Sequence, residues 1–318
     1  MLAARYRSDL PQLSSGVFLT DGGIETSLIY DQGLELPEFA AFTLLDDDAG
    51  RAALIRYFED YVAIAARDGV GIVLETATWR ANPAWGATLG YDADALEQSN
   101  REAVALLVDV RRRYETSTAP VVISGCIGPR GDGYQAGEQM TPEQAEAYHS
   151  LQARAFADSA ADVITAITMT YPAEAIGVVR AARAVGMPVV ISFTVETDGR
   201  LPSGHTLADA IALVDASTGA GPAYYMVNCA HPDHFAGSLD PSAAWTSRIG
   251  GIRANASRMS HAELDAAVEL DAGDPVELAR LYSELRATHP SIVVLGGCCG
   301  TNHEHIGAIS SACATTSA

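Results

Sequence analysis

The stretch Val163-Ile-Thr-Ala-Ile-Thr-Met-Thr170 is a near-continuous apolar run, which predicts a β-strand covered on both faces. A helical pattern, Ala173–Val185, follows it, and a second apolar run, Pro188–Thr194, comes directly after that helix. Strand, helix and strand in this order form the unit that joins neighbouring parallel strands. The stretch therefore predicts a parallel sheet.

The same order recurs in both directions from this unit. The other predicted strands are Val17–Thr20, Val70–Trp79, Val121–Cys126, Tyr224–Cys229, Ile249–Ala254 and Ile292–Leu295. The other predicted helices are Ala52–Arg67, Asp94–Arg113, Pro142–Ala160, Leu207–Thr218 and Pro275–Thr288, with a short helix last. Thr141 and Asp274, each followed by proline, are typical helix starts. Eight such units over roughly 300 residues favour a closed (β/α)₈ TIM barrel of the α/β class over an open sheet.

The composition fits a folded protein, with 48% apolar and 19% charged residues in a chain of 318. This length is compatible with two domains or one large barrel. We expect a single barrel domain over 1–318, with a loose tail from about residue 310. No apolar run reaches the ~20 residues that cross a bilayer, and the N-terminus lacks a signal-peptide pattern. We therefore expect a cytoplasmic protein.

The net charge of −20 argues against nucleic-acid and membrane partners, because such a surface repels phosphate groups. All twenty basic residues are arginine, so no lysine can form a Schiff base. No glycine-rich dinucleotide-binding or phosphate-binding motif follows a strand. The remaining partners are small molecules, and the oligomeric state is left open.

Three cysteines carry the chemistry. Cys229 follows one predicted strand, and the pair Cys298-Cys299 follows another within Gly-Gly-Cys-Cys-Gly. Three thiolates suit zinc and leave its fourth tetrahedral position open. Buried packing cysteines and a vicinal disulfide are the alternatives. Cys126 and Cys313 are more simply a buried apolar residue and a tail thiol.

Three thiolates on Zn²⁺ give a net charge of −1, so the metal is a weak Lewis acid. Such a site lowers the pKa of an incoming thiol and leaves its sulfur nucleophilic. It therefore favours alkyl transfer to sulfur over hydrolysis, and no protein general base is needed.

Other polar side chains also come at predicted strand ends, where barrel enzymes keep their sites. Asp21-Gly22-Gly23 could hold a zwitterion, with Asp21 on its ammonium and the glycine amides on its carboxylate, although Asp-Gly-Gly is often only a turn. Thr168 and Asn228 end two further strands and are candidate substrate-binding residues. The segments 128–141 and 237–247 are candidate covers for the site.

These motifs together resemble the homocysteine S-methyltransferase family over almost the full length. The resemblance rests on Asp21-Gly22-Gly23, Ile127-Gly128-Pro129, Asn228-Cys229 with Pro232, and Gly296-Gly-Cys-Cys-Gly-Thr301 with Glu304-His305-Ile306. It implies a zinc-dependent enzyme whose metal is held by Cys229, Cys298 and Cys299. It also implies that the thiol of homocysteine takes a methyl group from a sulfonium or quaternary ammonium donor, giving methionine. The donor itself is not disclosed.

Two positions depart from this family. Ile167-Thr168 stands where relatives have Glu-Thr, so a carboxylate for the substrate ammonium is missing there. Glu75 could replace it, or could simply pair with Arg80 or another arginine. Trp79 could face a cationic donor through a cation–π contact, or could pack in the barrel. A different thiol acceptor, or a non-catalytic zinc-binding barrel that serves as a methyl-transfer subunit, are the alternative functions.

The histidines are weaker candidates. His231 and His234 follow Cys229, and His303 and His305 follow the paired cysteines. Histidines at helix starts usually cap the helix or face solvent, so we do not expect them to ligate the metal.

Overall fold

The computed structural model describes residues 3–14 and 16–314. Eight parallel strands close into a barrel in chain order, and the last strand pairs with the first. They are β1 Phe18–Thr20, β2 Gly71–Glu75, β3 Val121–Ile127, β4 Val163–Met169, β5 Val189–Phe193, β6 Tyr225–Asn228, β7 Ile249–Ala254 and β8 Val294–Gly297. The predicted (β/α)₈ barrel is confirmed.

Helices surround the barrel. Those in the described ranges are α1 Ile24–Thr26, α2 Asp48–Asp68, α3 Pro83–Leu89, α4 Ala93–Tyr114, α5 Pro142–Ala157, α6 Pro172–Ala184, α7 Leu207–Thr218, α8 Pro232–Phe235, α9 His261–Ala266, α10 Pro275–Thr288 and α11 His303–Cys313. The six predicted helices match α2, α4, α5, α6, α7 and α10. The short α3, α8 and α9 were not predicted, because they lie in loops at strand ends and lack a long apolar period.

The predicted helix starts at Thr141 and Asp274 are confirmed. Thr141 accepts from the Gln144 N–H while the Gln144 side chain returns to the Thr141 N–H, which completes a capping box. The Asp274 carboxylate accepts from the backbone of Val276 and Glu277. These caps satisfy helix-end N–H groups that would otherwise lack partners.

The barrel interior changes character along its axis. Its lower half is filled by apolar side chains from several strands, including Phe18, Val73, Val122, Val163 and Val190. Because side chains alternate across a strand, the inward positions two residues further on are frequently polar, as at Glu75 and Ser124. The polar half lies at the carboxyl ends of the strands and leaves room for a site there.

Six of the eight strands end at a residue other than the predicted one, and three of these ends, in β2, β6 and β8, shape the site. β2 ends at Glu75 rather than Trp79. Beyond Glu75, Thr76 Oγ1 accepts a hydrogen bond from the Cys126 N–H at 2.9 Å, and Thr78 Oγ1 donates one to the Cys126 carbonyl at 2.8 Å. These side-chain bonds replace continued backbone pairing between β2 and β3. β6 ends before Cys229, whose φ of 56° leaves the β region. β8 extends through both glycines that precede the paired cysteines.

The C-terminal helix is longer than expected. α11 includes residues 310–313, which were predicted to begin a loose tail, and Ser310 Oγ donates to Asp68 Oδ2 at 2.6 Å. The rest of the predicted tail, 315–318, lies outside the described residues. Within the described ranges, no helix combines the length and apolarity needed to span a membrane.

Candidate active site and metal centre

The three predicted cysteines converge. Cys229 Sγ lies 3.2 Å from Cys298 Sγ and 3.6 Å from Cys299 Sγ, and all three sulfur atoms lie within 4.8 Å of one another. Cys298 and Cys299 are not joined to each other, so a vicinal disulfide, the alternative for the adjacent pair, is absent. Among the described residues this trio is the group of His, Cys, Asp and Glu side chains that could hold a metal ion.

Strained and crowded backbone brings the sulfurs together. Cys229 and Thr168 are non-glycine residues in the left-handed region, with φ of 56° and 62°. Gly300, with φ of 77°, turns the chain after the cysteine pair. A Cβ on Gly297 would lie 2.0 Å from Thr301 Oγ1, so only glycine fits there. Gly300 thus serves a sharp turn, and Gly297 serves close packing.

The trio stabilises a negative charge even without a metal. Hydrogen bonds from Cys229 and Cys299 hold the pKa of Cys298 well below its ordinary value, and the buried Arg253 guanidinium contributes. The pKa of Cys229 is raised by its hydrogen bonds with Cys298 and Cys299. The thiolate at Cys298 therefore resists protonation, which suits a site that must present anionic sulfur to a cation.

A tyrosine that the sequence analysis did not single out lies over the trio. Tyr134 Oη is 3.3 Å from Cys299 Sγ and 3.5 Å from Cys229 Sγ. Its ring stacks on His261 with a centroid separation of 4.2 Å. His261 Nε2 lies 2.6 Å from the Cys229 carbonyl oxygen, and its Nδ1 lies 3.1 Å from Glu196 Oε1. His261 thus links the loop that carries Tyr134 to the strained Cys229 backbone.

Asn228 and Thr168, two predicted substrate-binding residues, bind each other. Thr168 N donates to Asn228 Oδ1 at 2.8 Å, and Asn228 Nδ2 donates to Thr168 Oγ1 at 2.9 Å. Ser192 Oγ also donates to Asn228 Oδ1, at 2.6 Å. Thr168 lines the cavity, whereas Asn228 is not among its lining residues. The Asn228 amide therefore fixes the unusual backbone at Thr168.

Asp21 lies at the inner wall of the site but already has a cationic partner. Its Oδ1 is 2.9 Å from Arg253 Nη1; the two atoms are not aligned as a hydrogen bond, so the contact is an ion pair. Tyr57 Oη donates to Asp21 Oδ2 at 3.0 Å. Burial nevertheless raises the pKa of Asp21, with Arg253 acting in the opposite direction. Any substrate ammonium at Asp21 would share this carboxylate with Arg253.

The two glycines after Asp21 are required by close packing against the turn after the cysteine pair. A Cβ on Gly22 would lie 2.7 Å from the Thr301 carbonyl oxygen, and one on Gly23 would lie 2.5 Å from that of Cys298. The Gly23 N–H donates to the Thr301 carbonyl at 3.0 Å, so it is not free for the substrate carboxylate that was predicted there. Both glycines still line the cavity.

Glu75 points into the same space. It is 4% exposed, and its Oε2 has no hydrogen-bond partner in the described part of the chain. Burial raises the pKa of Glu75 to about 7, opposed by the charge of Arg253. The predicted alternative, an ion pair with Arg80, does not form. Arg253 is instead the buried cation that acts on both Glu75 and Asp21.

These groups line a cavity of about 260 Å³, close to the ~300 Å³ at which small-molecule sites begin. Trp79, Arg80, Glu25 and Tyr134 form part of its wall. The predicted cover 128–141 contributes Asp132 and Tyr134. The other predicted cover, 237–247, contributes no lining residue among those described, and residues between 264 and 271 line the cavity instead.

Three of the four histidines near the cysteines contact backbone groups. His231 Nδ1 accepts from the Asp233 N–H at 3.2 Å and caps α8, and burial lowers the pKa of His231 to about 4. His234 and His305 contact the carbonyl oxygens of Arg258 and Ala272. His303 is exposed and lies outside the sulfur cluster. Cys126 lines the cavity but likewise lies outside that cluster.

Arg253 and Tyr134 were not identified as site residues from the sequence, although a sequence pattern predicts the position of Arg253. Arg253 is the second-last residue of β7. Side chains along a strand alternate between its two faces, so Arg253 lies on the same face as Gly251. This alternation predicts that the charge of Arg253 faces the barrel interior. That signal was available. Tyr134 lies in a glycine-rich loop, where no periodicity fixes the direction of a side chain. Its contact with the sulfurs appears only in three dimensions.

The family comparison covers nearly the whole barrel. The sequence model of a family described as homocysteine S-methyltransferase matches residues 18–313, from the start of β1 to the end of α11. Comparison with the sequences of curated proteins returns no significant match.

Solved structures with the same fold include the homocysteine methyltransferase MmuM from Escherichia coli. Its metallated form has a TM-score of 0.77 at 20% identity, with 96% of this chain and 99% of that chain covered. Its oxidised form has a TM-score of 0.76 at 20% identity, with 94% of this chain and 96% of that chain covered. At this identity the likeness shows a shared fold over almost the full length of both chains.

Proposed function

Because this chain belongs to the homocysteine S-methyltransferase family and is an S-methyltransferase of that type, we propose that it transfers a methyl group to homocysteine, giving methionine. The proposed donor is a small sulfonium or quaternary ammonium compound. The proposed cofactor is zinc, held by Cys229, Cys298 and Cys299. The observation that carries this proposal is the convergence of three free sulfurs at a cavity that also contains carboxylates short of counter-charge.

The sulfur positions fit a zinc ion. Zinc–sulfur bonds of ~2.3 Å in a tetrahedron place the ligand sulfurs roughly 3.8 Å apart. The separations of Cys229 Sγ from the other two sulfurs, 3.2 and 3.6 Å, need only a small expansion. When bound, zinc would hold the acceptor's thiol in its ionised form at a fourth position.

The charges nearby fit an amino group on the acceptor. Asp21 and Glu75 both lie near a single guanidinium, that of Arg253, so one carboxylate charge remains uncompensated in a buried space. A substrate ammonium would supply the second positive charge and favour ionised Glu75. In this arrangement Glu75 takes the part of the carboxylate that is missing at Ile167. The Gly22 N–H, which has no backbone acceptor in the described residues, is left for the substrate carboxylate.

The transfer step is a displacement at carbon. The thiolate sulfur attacks the methyl group of the onium donor, a sulfur–carbon bond forms, and the methyl–onium bond breaks. The bonding electron pair leaves with the donor, which departs as a neutral thioether or tertiary amine centre. The thiol proton has gone to solvent before this step, so the protein contributes position and charge rather than a general base.

The test is methionine formation by the zinc-loaded enzyme from homocysteine with S-methylmethionine, S-adenosylmethionine, betaine or dimethylsulfoniopropionate. We expect methionine from at least one donor. The matched acceptor is 4-mercaptobutyrate, which is homocysteine without its amino group, and we expect it to react with a much higher KM. Methylation of other thiols with none of homocysteine, or equal KM values for the two acceptors, would contradict the proposal.

A further inference from the structure

Arg80 is a buried cation on the wall of the active-site cavity. It is 9% exposed, and its guanidinium carbon lies 3.6 Å from the centroid of the Trp85 ring and 4.2 Å from that of Trp79. Two aromatic rings thus cover the guanidinium, which restricts its rotation and leaves the N–H groups at its edge for hydrogen bonding.

Those edge groups have few partners. Nη1 makes one long contact, 3.4 Å, to the Gly131 carbonyl oxygen. Nε is buried without a partner, Nη2 makes no hydrogen bond within the described residues, and no carboxylate there lies within ion-pair distance of Arg80. Burial accordingly lowers the pKa of Arg80. A buried charge without a partner is costly, so a site that retains one usually uses it on a ligand.

The position of Arg80 connects it to the reacting sulfurs through the cavity wall. The Trp79 ring that it stacks on packs against Gly133, where an added Cβ would lie 2.9 Å from Trp79 Cζ2. The next residue, Tyr134, contacts Cys229 and Cys299. Glu25 also lines the cavity, and its carboxyl group feels the charges of both Cys298 and Arg80.

We propose that Arg80 is the residue that binds the carboxylate of the onium methyl donor. This inference rests on the proposed function. Guanidinium and carboxylate match as a two-point hydrogen-bonded pair, and the aromatic sandwich holds the fork in one plane. The onium end then faces the cavity that Glu25 also lines; burial raises the pKa of Glu25 to about 7, and a bound cation would favour its ionised form.

The donor is favoured over the acceptor as the source of this carboxylate because a different set of groups already surrounds the acceptor. Asp21, Glu75 and Arg253 lie inside the barrel next to the cysteine trio, whereas Arg80 follows β2 in the loop above it. An acceptor with its sulfur at the trio would place its amino-acid end among these groups, which leaves Arg80 for the donor.

The experiment compares matched donors in wild type and Arg80→Gln. Each pair shares an onium centre and differs in the carboxylate: betaine against ethyltrimethylammonium, and dimethylsulfoniopropionate against dimethylpropylsulfonium. We expect Arg80→Gln to raise the KM for the carboxylate donors about 10- to 100-fold, with the homocysteine KM and the carboxylate-free donors unaffected. Arg80→Lys keeps the charge without the planar fork and should fall between. Arg56→Gln removes an arginine from the exposed surface of α2 and should change nothing.

A binding measurement separates this proposal from the reaction. Trp79 and Trp85 flank Arg80, whereas Trp245 lies in a short helix before β7, so tryptophan fluorescence of a Trp245→Phe variant reports on the Arg80 region. We expect saturable quenching by the carboxylate donors without any thiol present, and loss of it in Arg80→Gln. If this binding is seen but no methionine forms, the proposed function fails and the Arg80 site stands.

Three results would overturn the Arg80 proposal. The first is equal affinity of wild type for the two members of each donor pair. The second is a change of the homocysteine KM alone in Arg80→Gln, which would show that Arg80 binds the carboxylate of the acceptor. The third is an equal loss of activity with all substrates in Arg80→Gln, together with a lower melting temperature. This result would mean that Arg80 only stabilises the packing of Trp79 and Trp85.

Discussion

At the scale of single residues, the site is organised by one arginine. Arg253 pairs with Asp21, donates to the Gly22 carbonyl at 3.1 Å, and donates to the Gly297 carbonyl at 3.1 Å. One side chain therefore ties the loop after β1 to the strand that leads into the cysteine pair. Its positive charge adds to the hydrogen bonds with Cys229 and Cys299 that hold the pKa of Cys298 below its ordinary value, and it opposes the rise that burial causes in the pKa of Glu75.

Glu75→Gln tests the ammonium site. Glutamine keeps the size but removes the charge, so we expect the homocysteine KM to rise about 10- to 100-fold, whereas the amine-free acceptor should keep its KM unchanged. The pKa of Glu75 is raised to about 7, so the wild-type carboxyl is protonated and neutral below that pH. The homocysteine KM should therefore rise as pH falls through 7 in wild type, and this inflection should vanish in Glu75→Gln. An inflection that persists in the variant would assign it to another group.

Arg253→Met tests the ion pair. Methionine fills similar space but leaves the buried Asp21 carboxylate without its cation, so we expect a loss of about 3–5 kcal/mol in the free energy of unfolding at pH 7. Urea denaturation measures it. Adding Asp21→Asn removes the orphaned charge and should restore part of the loss. Purely additive effects of the two substitutions would show that the pair does not couple energetically.

At the scale of elements, the site depends on two loops that pack at backbone distance. The loop after β1 lies against the turn 298–301 so closely that Gly22 and Gly23 have no space for a Cβ. The loop after β3 carries Tyr134, and hydrogen bonds near both of its ends hold it in place. The Arg130 N–H donates to the buried Glu174 at 2.7 Å, and the Met140 N–H donates to Tyr171 Oη at 3.0 Å.

Gly22→Ala tests the first of these packings. Its Cβ would lie 2.7 Å from the Thr301 carbonyl oxygen and 2.8 Å from Tyr61 Oη, so the loop after β1 must move away from the cysteine turn. We expect about a 10- to 100-fold loss of zinc affinity, as for changes to groups that support metal ligands. Competition with a chromogenic chelator measures this affinity. Gly131→Ala, where the added Cβ meets nothing within 4 Å, is the matched control. Equal affinities in both variants would contradict the account.

The elements also show what the sequence can and cannot predict. Apolar runs and helix periods identify all eight strands and the major helices, because burial on both faces leaves a strong pattern. The thiol trio follows from Gly-Gly-Cys-Cys-Gly, since residue type and glycine spacing carry the chemistry. Tyr134 and the mutual bonding of Asn228 and Thr168 do not follow. They depend on loop conformation and left-handed backbone at non-glycine residues, for which the sequence has no periodic signal.

At the scale of the whole molecule, stability and chemistry occupy different parts of the barrel. The closed ring of strands and the apolar plug around Val73 and Val163 form one continuous folded unit below the site. The cysteines lie at the upper ends of β6 and β8 and do not link otherwise separate parts. We therefore expect the fold not to need the metal, in contrast to small domains that fold only around one.

Zinc removal tests this separation. We expect the chelated protein to keep its far-UV circular dichroism spectrum while its melting temperature falls by about 5 °C, because a ligand that binds only the folded state stabilises it by mass action. Zinc should restore the melting temperature, whereas magnesium, which prefers oxygen ligands, should not. Loss of helical signal on chelation would contradict a metal-independent barrel.

The most direct test of the central claim is X-ray absorption at the zinc edge, without and with homocysteine. We expect three sulfur neighbours and one lighter atom in the resting enzyme, and four sulfur neighbours at ~2.3 Å once homocysteine is added. Cys229→Ser should reduce the sulfur count by one in each state. A sulfur count that stays unchanged when homocysteine binds, or a resting site with fewer than three sulfurs, would contradict the account.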